Sequence, residues 1–316
     1  MSIPVGGLDC TNVSPECPAE YSVLEYRPSL GANAFFLAIF ALCSILQLIF
    51  GIKWKTWTFC IALSCGSILE FVGYIGRVML WKNPYNTEGF EIPIICLIIA
   101  PAFTAAGVYL TLKHFVLAFG REYSLIKPQL YTWIFISADI FSLLLQALGA
   151  VLSTVGVSDL TVGSNIALAG ICFQVASLAF FGVTAAVYFA RVWRNRSSMS
   201  DEAKALAHSL KFRMFAGGIL LAYLTILTRC CYRIPELSGG WGNKVYRTEV
   251  YFIVLDGVMI TIATLALTLL HPGFFFPRLS APFRMREKKE RRAQRAESPE
   301  ASGSDLEEAK IVEDSE

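Results

Sequence analysis

Residues 31–51 read GANAFFLAIFALCSILQLIFG, a run of 21 residues without a charged side chain. An α-helix rises ~1.5 Å per residue, so such a run reaches about 30 Å, the thickness of a bilayer's hydrocarbon core. Water cannot satisfy backbone polar groups at that depth, which leaves a helix as the expected form. The stretch therefore predicts a transmembrane helix.

Six further stretches share this apolar character, at residues 57–79, 92–112, 131–153, 165–189, 212–231 and 249–270. The composition agrees, because 55% of the residues are hydrophobic and 16% are charged, against about 25% charged in a typical soluble domain. The sequence predicts an all-α, polytopic membrane protein whose seven-helix transmembrane domain covers residues 31–275. Residues 1–30 are then an extracellular N-terminal segment, and residues 276–316 are a cytosolic tail.

Basic residues are unevenly divided between the two sides of this domain. Twenty lysines and arginines fall with the C-terminal tail and the loops after the first, third and fifth spans, and seven fall on the other side. Because cytosolic loops carry the excess of Lys and Arg, the N-terminus is expected outside and the C-terminus in the cytosol. The plasma membrane is the expected location, and a vacuolar or other endomembrane is the alternative.

The predicted tail changes character along its length. Residues 284–295 are strongly basic, and residues 297–316 are acidic, rich in serine and without aromatic side chains. This composition cannot bury a core, so the tail is expected to be disordered. The basic run either binds anionic headgroups of the inner leaflet, at ~1 kcal/mol per charge, or serves only to fix the topology. No nucleic-acid partner is expected.

The N-terminal segment carries two cysteines and a glycosylation sequon. Cys10 and Cys17 lie on the oxidising side in this topology, so we expect a small disulfide-closed loop, with two free thiols as the alternative. Asn12 begins an Asn-Val-Ser sequon that the following Pro15 weakens. Both features fit an extracellular segment.

Three spans each carry two polar residues seven positions apart, and these pairs are Glu70 and Arg77, Asp139 and Gln146, and Glu249 and Asp256. Seven residues turn about 700°, so both members of a pair face the same way, ~10.5 Å apart along the axis. That distance is too long for a direct contact, so each group needs a partner on another helix, in a ligand or in water. Polar stripes on three spans predict an interior seam.

A balanced set of charges is predicted at the outer ends of the spans. Its members are Arg77, Arg229, Arg233, Arg247, Glu70, Glu236, Glu249 and Asp256, with Glu236 and Arg247 expected in the loop after the sixth span. Four arginines and four acids at one depth predict an ion-pair network that lines an outward-facing cavity. The alternative is that these residues only anchor the helices and pair for folding.

Asp139 differs from this set, because no cation is expected at its level. A lone carboxylate inside a membrane is costly, so Asp139 is a candidate for titration or for binding a cationic headgroup. The complete set of candidate substrate-binding residues is Glu70, Tyr74, Arg77, Asp139, Gln146, Arg229, Arg233, Glu236, Glu249 and Asp256. No cofactor and no metal are expected, since the three histidines form neither H-x-x-x-H nor H-E-x-x-H.

Five short strings follow one another along the chain: YRPSL (26–30), LEFVGYIGR (69–77), DIFSLLLQALG (139–149), RCCYRIPE (229–236) and HPG (271–273). Glu249, Tyr251 and Asp256 precede the last of them. Together these features resemble the fungal RTA-like family of lipid-translocating exporters over about residues 20–275. One departure is Ala150, where a second glycine is expected after Gly149.

The resemblance implies a seven-span fungal protein that exports or flips sphingoid bases and confers resistance to toxic amphipaths, and some members are linked to porphyrin movement. It supplies no settled set of catalytic residues. Lipid transport is the preferred interpretation. The alternative is a seven-span sensor or receptor that regulates lipid asymmetry or a stress response without transporting. An intramembrane enzyme is disfavoured by the missing metal motif.

The orientation can be tested with single cysteines introduced at Glu88, Gly240 and Ser200. The first two should react with an impermeant maleimide on intact cells and the third should not, because the basic loops are cytosolic. Labelling is read against the unmutated protein. Reaction at Ser200 on intact cells would reverse the topology.

Overall fold

A computed structural model of the chain describes residues 12–15, 17–22, 24–120, 122–124, 128–155, 160–195, 201–238 and 248–275. These residues form helices, turns and one isolated β-bridge between Ser14 and Cys17. The seven long helices are α1 (Leu30–Trp54), α2 (Trp57–Lys82), α3 (Thr87–Phe119), α4 (Pro128–Val155), α5 (Leu160–Arg194), α6 (Leu210–Ser238) and α7, which begins at Glu249. All seven are long and apolar enough to cross a membrane, which confirms the predicted all-α, seven-span fold.

Helix α7 is not uniform. It consists of an α-helical turn at Glu249–Tyr251, a π-helical segment at Phe252–Val258 and an α-helix at Met259–Leu269. A short α-helix at Asp201–His208 precedes α6. The predicted tail and Cys10 lie outside the described residues.

The helices pack as a closed bundle in chain order. Each long helix contacts the next one, α7 returns to α1, and α3 also contacts α6 and α7. Aromatic side chains fill the centre, among them Tyr109, Phe135 and Phe181, whose rings lie within 4.6–5.5 Å of one another. Exposed apolar side chains such as Ile140 and Leu144 on α4 form the face that lipid would cover.

Helices α4 and α5 approach each other closely at Gly149. A Cβ atom at Gly149 would overlap the backbone of Ala167 and Gly163. Small residues at such contacts let transmembrane helices pack backbone to backbone. Ala150 is exposed, so the missing second glycine does not prevent this approach.

Gly149→Val should separate α4 from α5, because the new side chain has no space against the α5 backbone. Overpacking of this kind costs about 1–3 kcal/mol. The melting temperature of the detergent-solubilised protein should fall clearly below that of the matched Ala150→Val variant. Equal melting temperatures would show that the α4–α5 approach does not depend on Gly149.

A buried charge network as candidate functional site

Asp256 is the centre of the candidate site. Its side chain is 0% exposed, and its Oδ1 lies 2.7 Å from Arg229 Nε and 3.0 Å from Arg233 Nη2. Both arginines lie one turn apart on α6, whereas Asp256 lies in the π-helical segment of α7. Opposite charges attract strongly where water is excluded, so Asp256 ties α6 to α7.

The network extends from this centre in two directions. Arg229 Nη2 lies 3.8 Å from Glu70 Oε1 on α2, and Arg233 Nη1 donates to Glu236 Oε2 at 2.8 Å. A neighbouring pair joins α2 and α7, with Arg77 Nη2 3.9 Å from Glu249 Oε1. The predicted ion-pair network is therefore present. Apart from the Arg233–Glu236 pair within α6, its ion pairs join different helices, as the seven-residue spacing requires.

Seven of the eight predicted members of the network are described. They are three arginines (Arg77, Arg229 and Arg233) and four acids (Glu70, Glu236, Glu249 and Asp256). The fourth predicted arginine, Arg247, lies outside the described residues.

Arg229 also donates a hydrogen bond to a backbone carbonyl that lies four residues before a proline. Its Nη2 donates to the carbonyl oxygen of Leu97 on α3 at 2.6 Å. Pro101 lies four residues later inside the same helix, and a proline has no N–H to donate to the carbonyl four residues before it. The proline thus leaves the Leu97 carbonyl available to the arginine.

Glu70 is the least compensated member of the network. Its side chain is 1% exposed, and neither carboxylate oxygen accepts a hydrogen bond from the described residues. Its nearest cation is Arg229, at 3.8 Å. Buried polar groups are normally hydrogen-bonded, so a carboxylate without donors marks a place where a further cation or proton would be stabilising.

The π-helical segment shapes the contact between Asp256 and the rest of the site. Gly257 follows Asp256 within this segment, and a Cβ there would lie 2.6 Å from the ring of Phe36 and 3.0 Å from the hydroxyl of Tyr74. Tyr74 is fully buried and stacks on Phe40 at 5.6 Å. π-Helical turns are rare and occur frequently at functional sites, which agrees with the position of this one.

A small pocket of about 50 Å³ adjoins the network. It is lined by Leu24, Tyr26, Arg77, Leu80, Phe90, Pro93, Ile94, Leu97, Arg233, Glu236 and Phe252. The Arg77 guanidinium lies 4.1 Å from the ring centre of Phe252 and donates to the Tyr26 hydroxyl at 3.2 Å. A volume of this size is room for one or two water molecules and not for a long alkyl chain.

Asp139 and Gln146 belong to a separate polar site on α4. Asp139 is 4% exposed and accepts a hydrogen bond from the Tyr109 hydroxyl of α3 at 3.0 Å, and its Oδ1 has no hydrogen-bond partner among the described residues. Gln146 donates to Gln174 of α5 at 3.2 Å. The structure therefore divides the ten predicted residues between the charge network with its neighbour Tyr74 and this second site.

Comparison with known protein families assigns the chain. The family described as RTA1 like protein matches residues 63–279. The chain belongs to the RTA1-like family. The matched region includes every charged residue of the network, whereas Leu24 and Tyr26 of the pocket lie before it.

Two relatives from Saccharomyces cerevisiae illustrate the range of this family. The sphingoid long-chain base transporter RSB1 is 35% identical over 279 residues, covering 79% of this chain and 73% of its own. Protoporphyrin uptake protein 1 is 30% identical over 212 residues and covers 67% of each chain. No solved structure gives a significant match.

The structure corrects one prediction and leaves others open. Glu236 was expected in a loop, but it lies within α6, because Pro235 occupies the last helical turn without ending the helix. Cys17 is disulfide-bonded, but its predicted partner Cys10 is not described, so that pairing stays a prediction. Asn12 is exposed, and its glycosylation also stays a prediction.

Sequence reasoning missed several contacts of the predicted site residues. The unexpected partners are Tyr26 for Arg77, Tyr109 for Asp139, Gln174 for Gln146 and the Leu97 carbonyl for Arg229. Pro101 within an apolar run was the one sequence signal for the Leu97 carbonyl. The remaining partners are aromatic or amide side chains that occur throughout such spans, so only their packing distinguishes them.

The two central acids should differ in their effect on folding. Asp256→Asn leaves Arg229 and Arg233 buried without their shared carboxylate, a loss of about 3–5 kcal/mol, so the amount of folded protein should fall. Glu70→Gln should preserve it, because Arg229 keeps Asp256 and the Leu97 carbonyl. Size-exclusion profiles of the solubilised variants measure both. Equal losses in the two variants would contradict this division of roles.

Proposed function

We propose that the chain is a transporter or translocase that exports or flips amphipathic lipids with a positively charged headgroup, such as sphingoid long-chain bases. The relative RSB1 is named for transport of this lipid class. The observation that carries the proposal is Glu70, a carboxylate buried among the helices without a hydrogen-bond donor in the described chain.

Charge complementarity supports a cationic substrate. The network acids supply carboxylates for one ammonium group, with Glu70, Glu236 and Asp256 as its candidate partners. A sphingoid base carries an ammonium and hydroxyls at one end of a long alkyl chain. In this proposal the headgroup enters at the pocket, and the alkyl chain stays in the surrounding lipid. In this proposal Tyr74, Arg77, Arg229, Arg233, Glu236 and Glu249 line the headgroup site.

Asp139 supplies a second acidic site in the proposed pathway. Its Oδ1 lacks a hydrogen-bond partner among the described residues, and a Tyr109 hydroxyl holds the other oxygen. A buried carboxylate of this kind would bind the ammonium after it leaves the outer network. Gln146, paired with Gln174, provides neutral hydrogen-bonding groups two helical turns away on the same face of α4.

The remaining parts of the proposal concern the membrane context. We place the N-terminus outside, the protein in the plasma membrane and the basic run 284–295 against anionic inner-leaflet headgroups. The distribution of lysine and arginine supports this arrangement. No catalytic step is proposed.

A sensor that binds the lipid without moving it is the second candidate. The small pocket volume favours it, because a pocket of about 50 Å³ does not enclose the alkyl chain that a transporter must move. Intrinsic flux in reconstituted vesicles separates the two functions, since a sensor binds lipid without increasing its transfer between leaflets.

The decisive experiment reconstitutes the purified protein in vesicles and measures transbilayer movement of a fluorescent sphingoid base. Wild-type protein should accelerate it, and Glu70→Gln and Asp139→Asn should each lose most of this flux at normal amounts of folded protein. Both substitutions preserve side-chain shape while removing the charge that holds the ammonium.

The matched control is Glu88→Gln, which removes an exposed acid in the first turn of α3 and should retain full flux. Binding without flux in the wild-type protein would favour the sensor. Full flux in both Glu70→Gln and Asp139→Asn would refute the assigned residues and leave the network a role in folding.

A further inference from the structure

The described residues of the N-terminal segment contact the end of α2, the loop before α3 and the start of α7. Tyr85 donates its hydroxyl hydrogen to the Pro18 carbonyl at 2.7 Å, and the Ser29 N–H donates to Glu249 Oε1 at 2.6 Å. Arg27 donates to the Trp81 carbonyl at 2.7 Å. These contacts fix the segment at several points along its length.

Two residues of this segment form part of the pocket wall. Leu24 is 4% exposed, and both Leu24 and Tyr26 line the pocket. Glu25 between them has a φ of 57°, in the left-handed region that non-glycine residues seldom adopt. Backbone strain of this kind persists only where surrounding contacts impose it, and it is concentrated at functional sites.

Arg77 has a hydrogen-bond donor that the described chain does not use. Its side chain is 5% exposed, its Nη2 donates to the Tyr26 hydroxyl, and its Nε has no acceptor. The Tyr26 oxygen accepts from Arg77, which leaves the tyrosine's own hydrogen available for donation. Two donors, an arginine Nε and a tyrosine hydroxyl, therefore belong to residues that line the same pocket.

These donors select for a ligand that carries hydrogen-bond acceptors beside its charge. Glu236 also lines the pocket and supplies a carboxylate for an ammonium. A phosphate would satisfy the donors too, but it would leave the Glu236 carboxylate without a cationic partner in the ligand. Hydroxyl groups adjacent to an ammonium meet both requirements.

We propose that the pocket recognises the hydroxyl groups of a long-chain amino diol, with Tyr26 of the N-terminal segment as a specificity-determining residue. This inference rests on the proposed function and adds to it. Arg77 and Tyr26 donate to the headgroup hydroxyls, and Glu236 accepts from the ammonium. The N-terminal segment is thus part of the binding site and lies before the region that defines the family.

The test compares three lipids of equal chain length in the vesicle flux assay: an amino diol, a primary alkylamine without hydroxyls, and the phosphate monoester of the amino diol. Wild-type protein should move the amino diol at least about tenfold more efficiently than the alkylamine, because the alkylamine leaves the donors unpaired. The phosphate monoester should be a poor substrate.

Tyr26→Phe removes one donor and keeps the ring. It should lower transport efficiency for the amino diol by about fivefold, the effect of one hydrogen bond, and leave that for the alkylamine unchanged. Tyr85→Phe is the matched control, since it removes a hydroxyl that holds the same segment but lies outside the pocket lining. It should leave the ratio of the two efficiencies as in wild type.

Two results would overturn the inference while leaving the proposed function intact. One is equal transport of amino diol and alkylamine by wild-type protein. The other is an unchanged ratio in Tyr26→Phe. Preferred transport of the phosphate monoester would overturn it by reassigning Arg77 and Arg233 to an anion. Absence of flux for all three lipids would instead refute the proposed function.

Discussion

The bundle depends on the contacts of the buried Arg229 guanidinium. It is 2% exposed and contacts Asp256 on α7, Glu70 on α2 and the Leu97 carbonyl on α3. A charge at this depth is tolerable only with such partners, so burying Arg229 requires α2, α3 and α7 to assemble around α6. Pro101 contributes by leaving that carbonyl without its helical donor.

Two buried polar clusters of the bundle are satisfied differently. Gln47 donates to Thr268 and accepts from Ser67, so α1, α2 and α7 are joined by neutral, paired groups. The charge network leaves Glu70 without a donor in the described chain. Neutral pairing adds stability without creating a demand for a ligand, whereas an uncompensated carboxylate creates one. This contrast locates the proposed headgroup site.

The N-terminal segment lies before the region that the family description matches, yet it completes the pocket wall with Leu24 and Tyr26. In the proposed function, the charge network within the matched region attracts the cation, and contacts from a segment outside that region adjust which headgroup is accepted. The named relatives, a sphingoid base transporter and a protoporphyrin uptake protein, carry names for chemically different molecules on related chains.

The sequence by itself determined the seven spans, because apolar length and the hydrogen-bonding requirement of lipid leave no other form. It also determined that Glu70, Arg77 and Asp256 need partners on other helices, since their spacing along each helix is too long for pairing. Only the tertiary structure decided which partners meet. It placed Glu236 within α6 and the Tyr109 hydroxyl within hydrogen-bonding distance of Asp139. Those outcomes depend on helix rotation, the π-helical segment of α7 and the path of the N-terminal segment. Local sequence does not encode them, because they arise from packing between elements far apart in the chain.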